Sequence, residues 1–368
     1  MRIVFDVSSC AKEQRKGIAN YGAELVRHCA RVAPQHELVL ALRSHRWGKR
    51  HLVEDILPGV RPRLLVDALA PWMLGKPVDV LHGIGVRLPG TDRFPKVVTL
   101  HDVNVFEFPE LSTPEWRETR RRRIRQTVDR ASLILSVSTQ GAQAIHEHLD
   151  VSLDRIRVVP EGVDLTRFKR PADEVIQRVT AAHGLNNAPY VICVGTDDLR
   201  KNHAGLLQAF VHAQLPDSWR LVLCGPRETS AAALRAQADN LGLNADRLVI
   251  PGWIEEEDLP ALLAGASIYA CGSLHEGFGL PVLEAQACGV AVASSHRGAL
   301  PETMGTCGVL FDPTDLDDFA GALSRLAGDD TLRNKLAAQG PARVADKFSW
   351  EHVARATLRV LEEAADLP

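Results

Sequence analysis

The chain has 368 residues, 45% of them hydrophobic and 24% charged, with a formal net charge of −3. That length suits two domains with large cores, and the near-neutral balance predicts no nucleic-acid partner. No stretch approaches the ~18 apolar residues of a membrane span, and seven scattered cysteines without Cys-x-x-Cys spacing speak against structural zinc and for a reducing compartment. The charge is uneven: residues 1–168 carry a net +6 and the remaining 200 a net −9. No signal-peptide pattern precedes the first strand, which starts at Arg2, so a cytoplasmic protein is expected.

In chain order, residues 3–7 read as a short buried strand. A loop rich in Lys and Arg ends at Gly17, where a helix begins that carries Tyr21, Leu25, Cys29 and Val32 on one stripe. Short strands are predicted at 38–42, 64–66, 78–82 and 97–100. Gly83-Ile84-Gly85 follows a strand but completes no G-x-G-x-x-G, so no dinucleotide site is assigned. His101 and Asp102 end the strand at 97–100. In open parallel sheets, ligands bind beyond the carboxyl ends of strands, which puts His101 where chemistry occurs. Asp102 could orient the imidazole or bind an acceptor. Arg117, Arg120, Arg121, Arg122, Arg123, Arg125 and Arg130 crowd the next helix. Two readings stay open there: a solvated face partnered by Glu115, Glu118 and Asp129, or contact with an anionic membrane surface or a diphosphate-linked lipid. A strand at 133–137 leads to Ser138, a helix cap.

A charged stretch at 168–188 reads as linker plus helix, followed by a buried strand at 190–195. Thr196-Asp197-Asp198-Leu199-Arg200-Lys201-Asn202 forms the next loop. Two adjacent cations at a helix start oppose the helix dipole. Such a local conflict points to function, and the partner expected for Arg200 and Lys201 is a phosphate. Strands at 221–224 and 249–252 follow. Trp253, just beyond, is either core or close to a ligand base. No Asp-x-Asp stands in a metal setting. Then comes strand, loop, helix and strand, with the loop and helix at His275-Glu276-Gly277-Phe278-Gly279-Leu280-Pro281-Val282-Leu283-Glu284-Ala285-Gln286-Ala287-Cys288-Gly289. The N–H groups of Phe278, Gly279 and Leu280 face a helix start, which suits a phosphate. A carboxylate beside phosphates is repelled, so Glu276 and Glu284 are expected to aim at hydroxyls instead. A last helix begins at 348–351.

Two glutamates separated by seven residues, with Gly-Phe-Gly-Leu-Pro between them, resemble the donor-site signature of the family-4 retaining glycosyltransferases. Three further stretches are similar to motifs of that family. Gly17-Ile18-Ala19-Asn20-Tyr21 resembles its first glycine loop, and His101-Asp102 its strand–His-Asp pattern. Pro160-Glu161-Gly162-Val163-Asp164 resembles its Pro-Asn-Gly-Val-Asp motif, with Glu161 replacing the usual Asn. Gly195-Thr196 with Arg200-Lys201-Asn202 resembles the mannosyltransferase-rich branch, although Thr196 stands where many members have Arg. The shift places more weight on Arg200 and Lys201.

The resemblance implies an α/β chain of the GT-B type: two doubly wound Rossmann-like domains facing across a cleft. Residues 1–168, joined by the terminal helix 348–368, would be the acceptor side, and 169–347 the nucleotide-sugar side. It implies transfer of a hexose, foremost mannose from GDP-mannose, with retention of configuration. The acceptor would be a lipid-diphosphate-linked glycan in surface polysaccharide assembly. The alternative is a UDP-sugar-dependent transferase or synthase making a small soluble glycoside. His101 would lie near the reacting carbon, Glu276 on sugar hydroxyls and Glu284 on the ribose. The diphosphate would be held by the Gly17 backbone, by Arg200 and Lys201, and by the amides of Phe278, Gly279 and Leu280. The expected donor site needs no metal and no cofactor besides the nucleotide sugar. Peripheral contact with the inner membrane face would run through the arginines from Arg117 to Arg130.

Overall fold

The computed structural model describes residues 1–67, 70–108 and 113–367; Pro368, the last residue of the expected terminal segment, lies outside them. The chain divides into two compact units, Met1–Gly162 with Trp350–Pro368, and Val163–Ser349. The sequence reading sets these boundaries at 168/169 and 347/348. The observed ones lie elsewhere because Val163 pairs in parallel with Ser349 and its N–H donates to the Phe348 carbonyl at 2.8 Å, which ties both ends of the second unit together.

The first unit is built on β1 (Arg2–Asp6), β2 (Glu37–Arg43), β3 (Arg63–Leu65), β4 (Val80–Gly83), β5 (Lys96–Leu100), β6 (Leu133–Ser136) and β7 (Ile156–Val158). They form one parallel sheet in the order β3-β2-β1-β4-β5-β6-β7. Every residue of β1, β4, β5 and β6 is buried, as expected of strands covered by helices on both faces. The helix Ile18–Val32 buries Tyr21, Leu25 and Cys29, a 3.6-period stripe. The helix Trp350–Ala365 buries Val353, Ala354, Leu358 and Leu361 in the same core. Trp350 packs on Gly162, where a Cβ would overlap the indole ring, so this position of the 160–164 motif requires glycine.

The second unit contains β8 (Tyr190–Val194), β9 (Arg220–Cys224), β10 (Leu248–Gly252), β11 (Ile268–Cys271), β12 (Ala291–Ser295) and β13 (Gly308–Phe311). Their order is β10-β9-β8-β11-β12-β13, again parallel throughout. Strand order reverses between β1 and β4 in the first sheet and between β8 and β11 in the second. At such a point adjacent loops leave in opposite directions and open a crevice at the carboxyl edge. All seven cysteines are buried free thiols. Trp253 is 57% exposed, which removes the core alternative for it. Among the described residues no helix is long and apolar enough to cross a membrane.

Candidate active site

The second unit's switch point brings together the loop after β8 and the loop after β11. Asp198 starts a single 3₁₀ turn, Leu199–Lys201, and its side chain accepts from the Arg200 N–H at 2.9 Å. Asn202 then adopts left-handed backbone (φ 53°, ψ 41°) and its side chain caps the helix His203–His212 through the Gly205 N–H at 3.2 Å. This short turn presents Arg200 and Lys201 toward β11. The two loops are joined by a main-chain bond from the Leu274 N–H to the Arg200 carbonyl, 2.8 Å.

Both cations meet Glu276. The Lys201 Nζ donates to Glu276 Oε1 at 2.6 Å, and Arg200 Nη1 to Oε2 at 2.9 Å. Arg200 Nη1 also reaches the His275 carbonyl at 2.8 Å, and Ser273 Oγ donates to Glu276 Oε1 at 2.7 Å. Glu276 is 7% exposed. Burial alone would raise the Glu276 carboxyl, but Lys201 and Arg200 outweigh it and hold it below the usual carboxylate range. Burial likewise works against the Lys201 ammonium, and Glu276 more than offsets it, leaving Lys201 above the usual lysine range. Glu276 and Lys201 are therefore both charged at neutral pH. The sequence reading gives the cations a phosphate and Glu276 sugar hydroxyls. The structure adds a direct pairing among them, because the loops of two hydrogen-bonded strands bring the charges to one point and two desolvated cations favour a carboxylate over an empty position.

Beyond Glu276 the loop ends in the helix Leu280–Ala287. Gly279 caps it at φ 95°, and a Cβ there would come within 2.6 Å of Leu300. The N–H groups of Phe278, Gly279 and Leu280 make no hydrogen bond among the described residues, as expected of a helix start left open to an anion. Phe278 is buried against Phe348, and its carbonyl accepts from Thr303 Oγ1 at 2.5 Å, so the loop is anchored through its side chain and carbonyl. Glu284 sits half-buried on the same helix. A cavity of about 530 Å³ in this unit opens at the amino-terminal edge of the sheet beside Tyr190, Ser267 and Ala291, away from these residues.

In the first unit Gly17 has φ 52° and ψ −127°, a conformation restricted to glycine, at the start of the helix Ile18–Val32. His101 follows β5 directly. Its Nδ1–H donates to the Glu161 carboxylate at 2.6 Å, and the Tyr21 ring meets the imidazole edge-on, 4.6 Å between centroids. His101 Nε2 is buried and has no partner among the described residues. Beneath it, burial and the nearby His101 push His82 down to about 3, so it is neutral, with Nε2 2.8 Å from Thr99 Oγ1. Asp102 instead accepts from the Asn104 N–H at 3.3 Å, and the orienting role considered for it is filled by Glu161.

Three residues escaped the sequence reading. Glu161 carried a signal, being the one departure within its motif. Gly298 packs on Glu276: at φ 60°, a Cβ would stand 2.5 Å from the Glu276 carbonyl oxygen, and the Ala299 N–H donates to that oxygen at 2.9 Å. Its signal is a second glycine shortly before a Leu-Pro helix start, Gly298-Ala299-Leu300-Pro301. Ser273 offered none.

Comparison with known proteins places this geometry. The family described as Glycosyl transferases group 1 matches residues 176–343, and the one described as Glycosyltransferase Family 4 matches residues 15–167. The chain is 32% identical to O-antigen chain mannosyltransferase B of Escherichia coli, over 97% of this chain and 98% of that protein. It is 33% identical to D-inositol 3-phosphate glycosyltransferase of Corynebacterium jeikeium, over 78% of this chain and 73% of that one. The solved structure of Anabaena HepE in complex with UDP matches with a TM-score of 0.76 at 20% identity, over 98% and 99% of the two chains. An end-to-end relative at this identity leaves one assignment: the chain belongs to the family-4 glycosyltransferases and has their GT-B pair of Rossmann-like domains.

Proposed function

We propose that this enzyme transfers mannose from GDP-mannose, with retention of anomeric configuration, to a hydroxyl of a lipid-diphosphate-linked glycan during polysaccharide assembly. The observation that carries the reading is the convergence of Arg200 and Lys201 on Glu276 beside the open helix start at Phe278–Leu280. The mannose assignment is supported by the E. coli relative named an O-antigen chain mannosyltransferase.

In this reading the incoming diphosphate shares the two cations with Glu276. Its oxygens take the amides of Phe278, Gly279 and Leu280 on one side and Arg200 and Lys201 on the other. Glu276, relieved of part of its cation contacts, turns its second lone pairs to sugar hydroxyls. When the bond from the anomeric carbon to the diphosphate breaks, charge develops on the departing phosphate. Fixed donors aimed there stabilise the transition state, usually the largest catalytic contribution. Glu284 is assigned to the ribose, the Gly17 backbone to the diphosphate, and His101 to the sugar near the reacting carbon. Donor binding is assigned no metal, since Arg200 and Lys201 supply the positive charge. The protein is placed in the cytoplasm, peripheral to the inner membrane face.

A second reading, a UDP-sugar-dependent transferase making a small soluble glycoside, is favoured by the relative named for D-inositol 3-phosphate and by the neighbour crystallised with UDP. Donor turnover decides. The purified chain is incubated with GDP-mannose, UDP-glucose and UDP-N-acetylglucosamine, and released nucleoside diphosphate is counted with and without a lipid-diphosphate glycan. Turnover of GDP-mannose dependent on that acceptor supports the first reading. Turnover confined to a UDP-sugar contradicts it.

A further inference from the structure

The arginine-rich helix Pro114–Arg130 has two different faces. Arg121 and Arg125 lie over the Phe106 ring at 5.3 and 5.4 Å, and Arg121 Nε donates to the Val105 carbonyl at 2.8 Å, so this face is structural. Arg122, Arg123 and Arg130 lie on another stripe: Arg130 follows Arg122 by eight residues and Arg123 by seven, about two helical turns. That stripe lines a cavity of about 310 Å³ at the carboxyl edge of the first sheet, completed by Arg43 from the end of β2 and Arg87 from the loop after β4. The volume is at the lower end of small-ligand pockets.

Five guanidinium groups thus surround one cavity, with Asp67 as the single acid among the described residues of its lining. Arg43 is nine-tenths buried. Its Nε donates to Asp6 at 2.8 Å and its Nη1 to Asp67 at 3.2 Å, while Nη2 is buried without a partner among the described residues. Arg87, Arg122 and Arg123 form no ion pair among the described residues, and Arg130 is held only by the Leu88 carbonyl at 3.0 Å. Burial, together with Arg87, Arg120 and Arg122, lowers Arg123 from its ordinary range. Like charges crowded around a hollow are unfavourable unless an anion fills it, and planar guanidinium forks match phosphate oxygens two at a time.

We propose that this cavity is a binding site for a multiply charged phosphate or diphosphate group, formed by Arg43, Arg87, Arg122, Arg123 and Arg130. It is built from residues of the first unit alone and stands independently of the donor reading. The group could be carried by a lipid headgroup or by a soluble phosphate compound; both present the same oxygens.

The test titrates the full chain calorimetrically with inorganic pyrophosphate, and in parallel with GDP. Wild type is compared with Arg87→Gln/Arg122→Gln, with Lys201→Ala, and with Arg325→Gln/Lys335→Gln as an equal charge change on the second unit. Arg87 and Arg122 are exposed, so the fold should persist, which the melting temperature checks. The site predicts at least a roughly tenfold loss of pyrophosphate affinity in Arg87→Gln/Arg122→Gln alone, a change of about 1.4 kcal/mol. GDP affinity should be unaltered in that variant, and the pyrophosphate site should survive Lys201→Ala. Pyrophosphate binding unchanged in Arg87→Gln/Arg122→Gln, lost equally in the charge control, or abolished by Lys201→Ala overturns the proposal. Vesicles containing phosphatidic acid, whose monoester phosphate can carry two charges, separate the two sources. Sedimentation with vesicles that the arginine variant loses and pyrophosphate competes away assigns a lipid headgroup. Vesicle binding indifferent to the variant, alongside the pyrophosphate loss, assigns a soluble phosphate.

Discussion

Lys201 and Glu276, 75 positions apart, meet with Nζ 2.6 Å from Oε1, and Arg200 closes on the other oxygen of the same carboxylate. The two loops that carry them leave adjacent parallel strands, β8 and β11, at the point where strand order reverses. A buried carboxylate shared by two cations is stable only as a set, because removing one partner leaves charge without compensation.

Lys201→Met should therefore cost stability as well as donor binding. Breaking a buried pair costs on the order of 3 kcal/mol. Glu276→Gln should cost a similar amount, and the double variant clearly less than the sum, because the two residues act on each other. Urea denaturation of the two single variants and the double variant measures the coupling; strict additivity would show that the contact contributes nothing.

The pH dependence of that coupling has a definite sign. Glu276 is held below its ordinary value of 4.5, so its contribution is complete above that pH and disappears as acid protonates it at the lower folded value. Lys201 is held above 10.5, so its contribution is complete below that pH and disappears as alkali deprotonates it at the higher folded value. The stability difference between wild type and Glu276→Gln should be flat between these limits and shrink outside both. Unfolding curves collected from acid to alkaline pH check it, and a difference that changes around neutrality would point to another titrating group.

Glu161 fixes which nitrogen of His101 carries hydrogen: Nδ1–H faces the carboxylate and Nε2 is left available. Glu161→Ala should leave Nδ1 buried without a partner, at a cost of about 1–3 kcal/mol, and lower kcat more than it changes KM. Glu161→Gln, whose amide oxygen still accepts, should restore most of both. Nitrogen chemical shifts of the His101 ring report the tautomer directly; an unchanged tautomer in Glu161→Ala would remove the positioning role.

Much of this was legible along the chain, and the boundary of legibility has a physical cause. The strands β1, β5, β8 and β11 announce themselves as short apolar runs, and the 275–289 loop through its glycines and Pro281, because backbone conformation is encoded locally. His101, Arg200 and Lys201 could be placed at carboxyl ends of strands for the same reason. The Glu276 ion pairs, the bond from His101 to Glu161, and the meeting of Arg43 and Arg87 with the arginine helix depend on which strands become neighbours. Sheet order is set by packing across the whole unit, and no local periodicity reports it. Gly298 lies between these cases: its glycine is visible, but the Glu276 carbonyl it accommodates is not.

Gly298→Ala should act at a distance from any ligand group. A side chain at φ 60° costs about 1–2 kcal/mol, and the added Cβ would press on the Glu276 main chain at 2.5 Å. The shift should displace the carboxylate, lower the melting temperature by several degrees for a unit of this size, and weaken donor binding with it. Unaltered donor affinity in a destabilised Gly298→Ala would mean that the loop tolerates the displacement.

The most direct test concerns the cations themselves. GDP is titrated calorimetrically into wild type and Lys201→Met in the presence of EDTA. Wild type should bind without divalent metal, and Lys201→Met should lose about 100-fold or more in affinity, of the size expected for a charge-assisted contact of ~3 kcal/mol. Equal GDP affinity in the two proteins, or binding by wild type only when magnesium is restored, would contradict the assignment of Lys201 and Arg200 as the groups that hold the diphosphate.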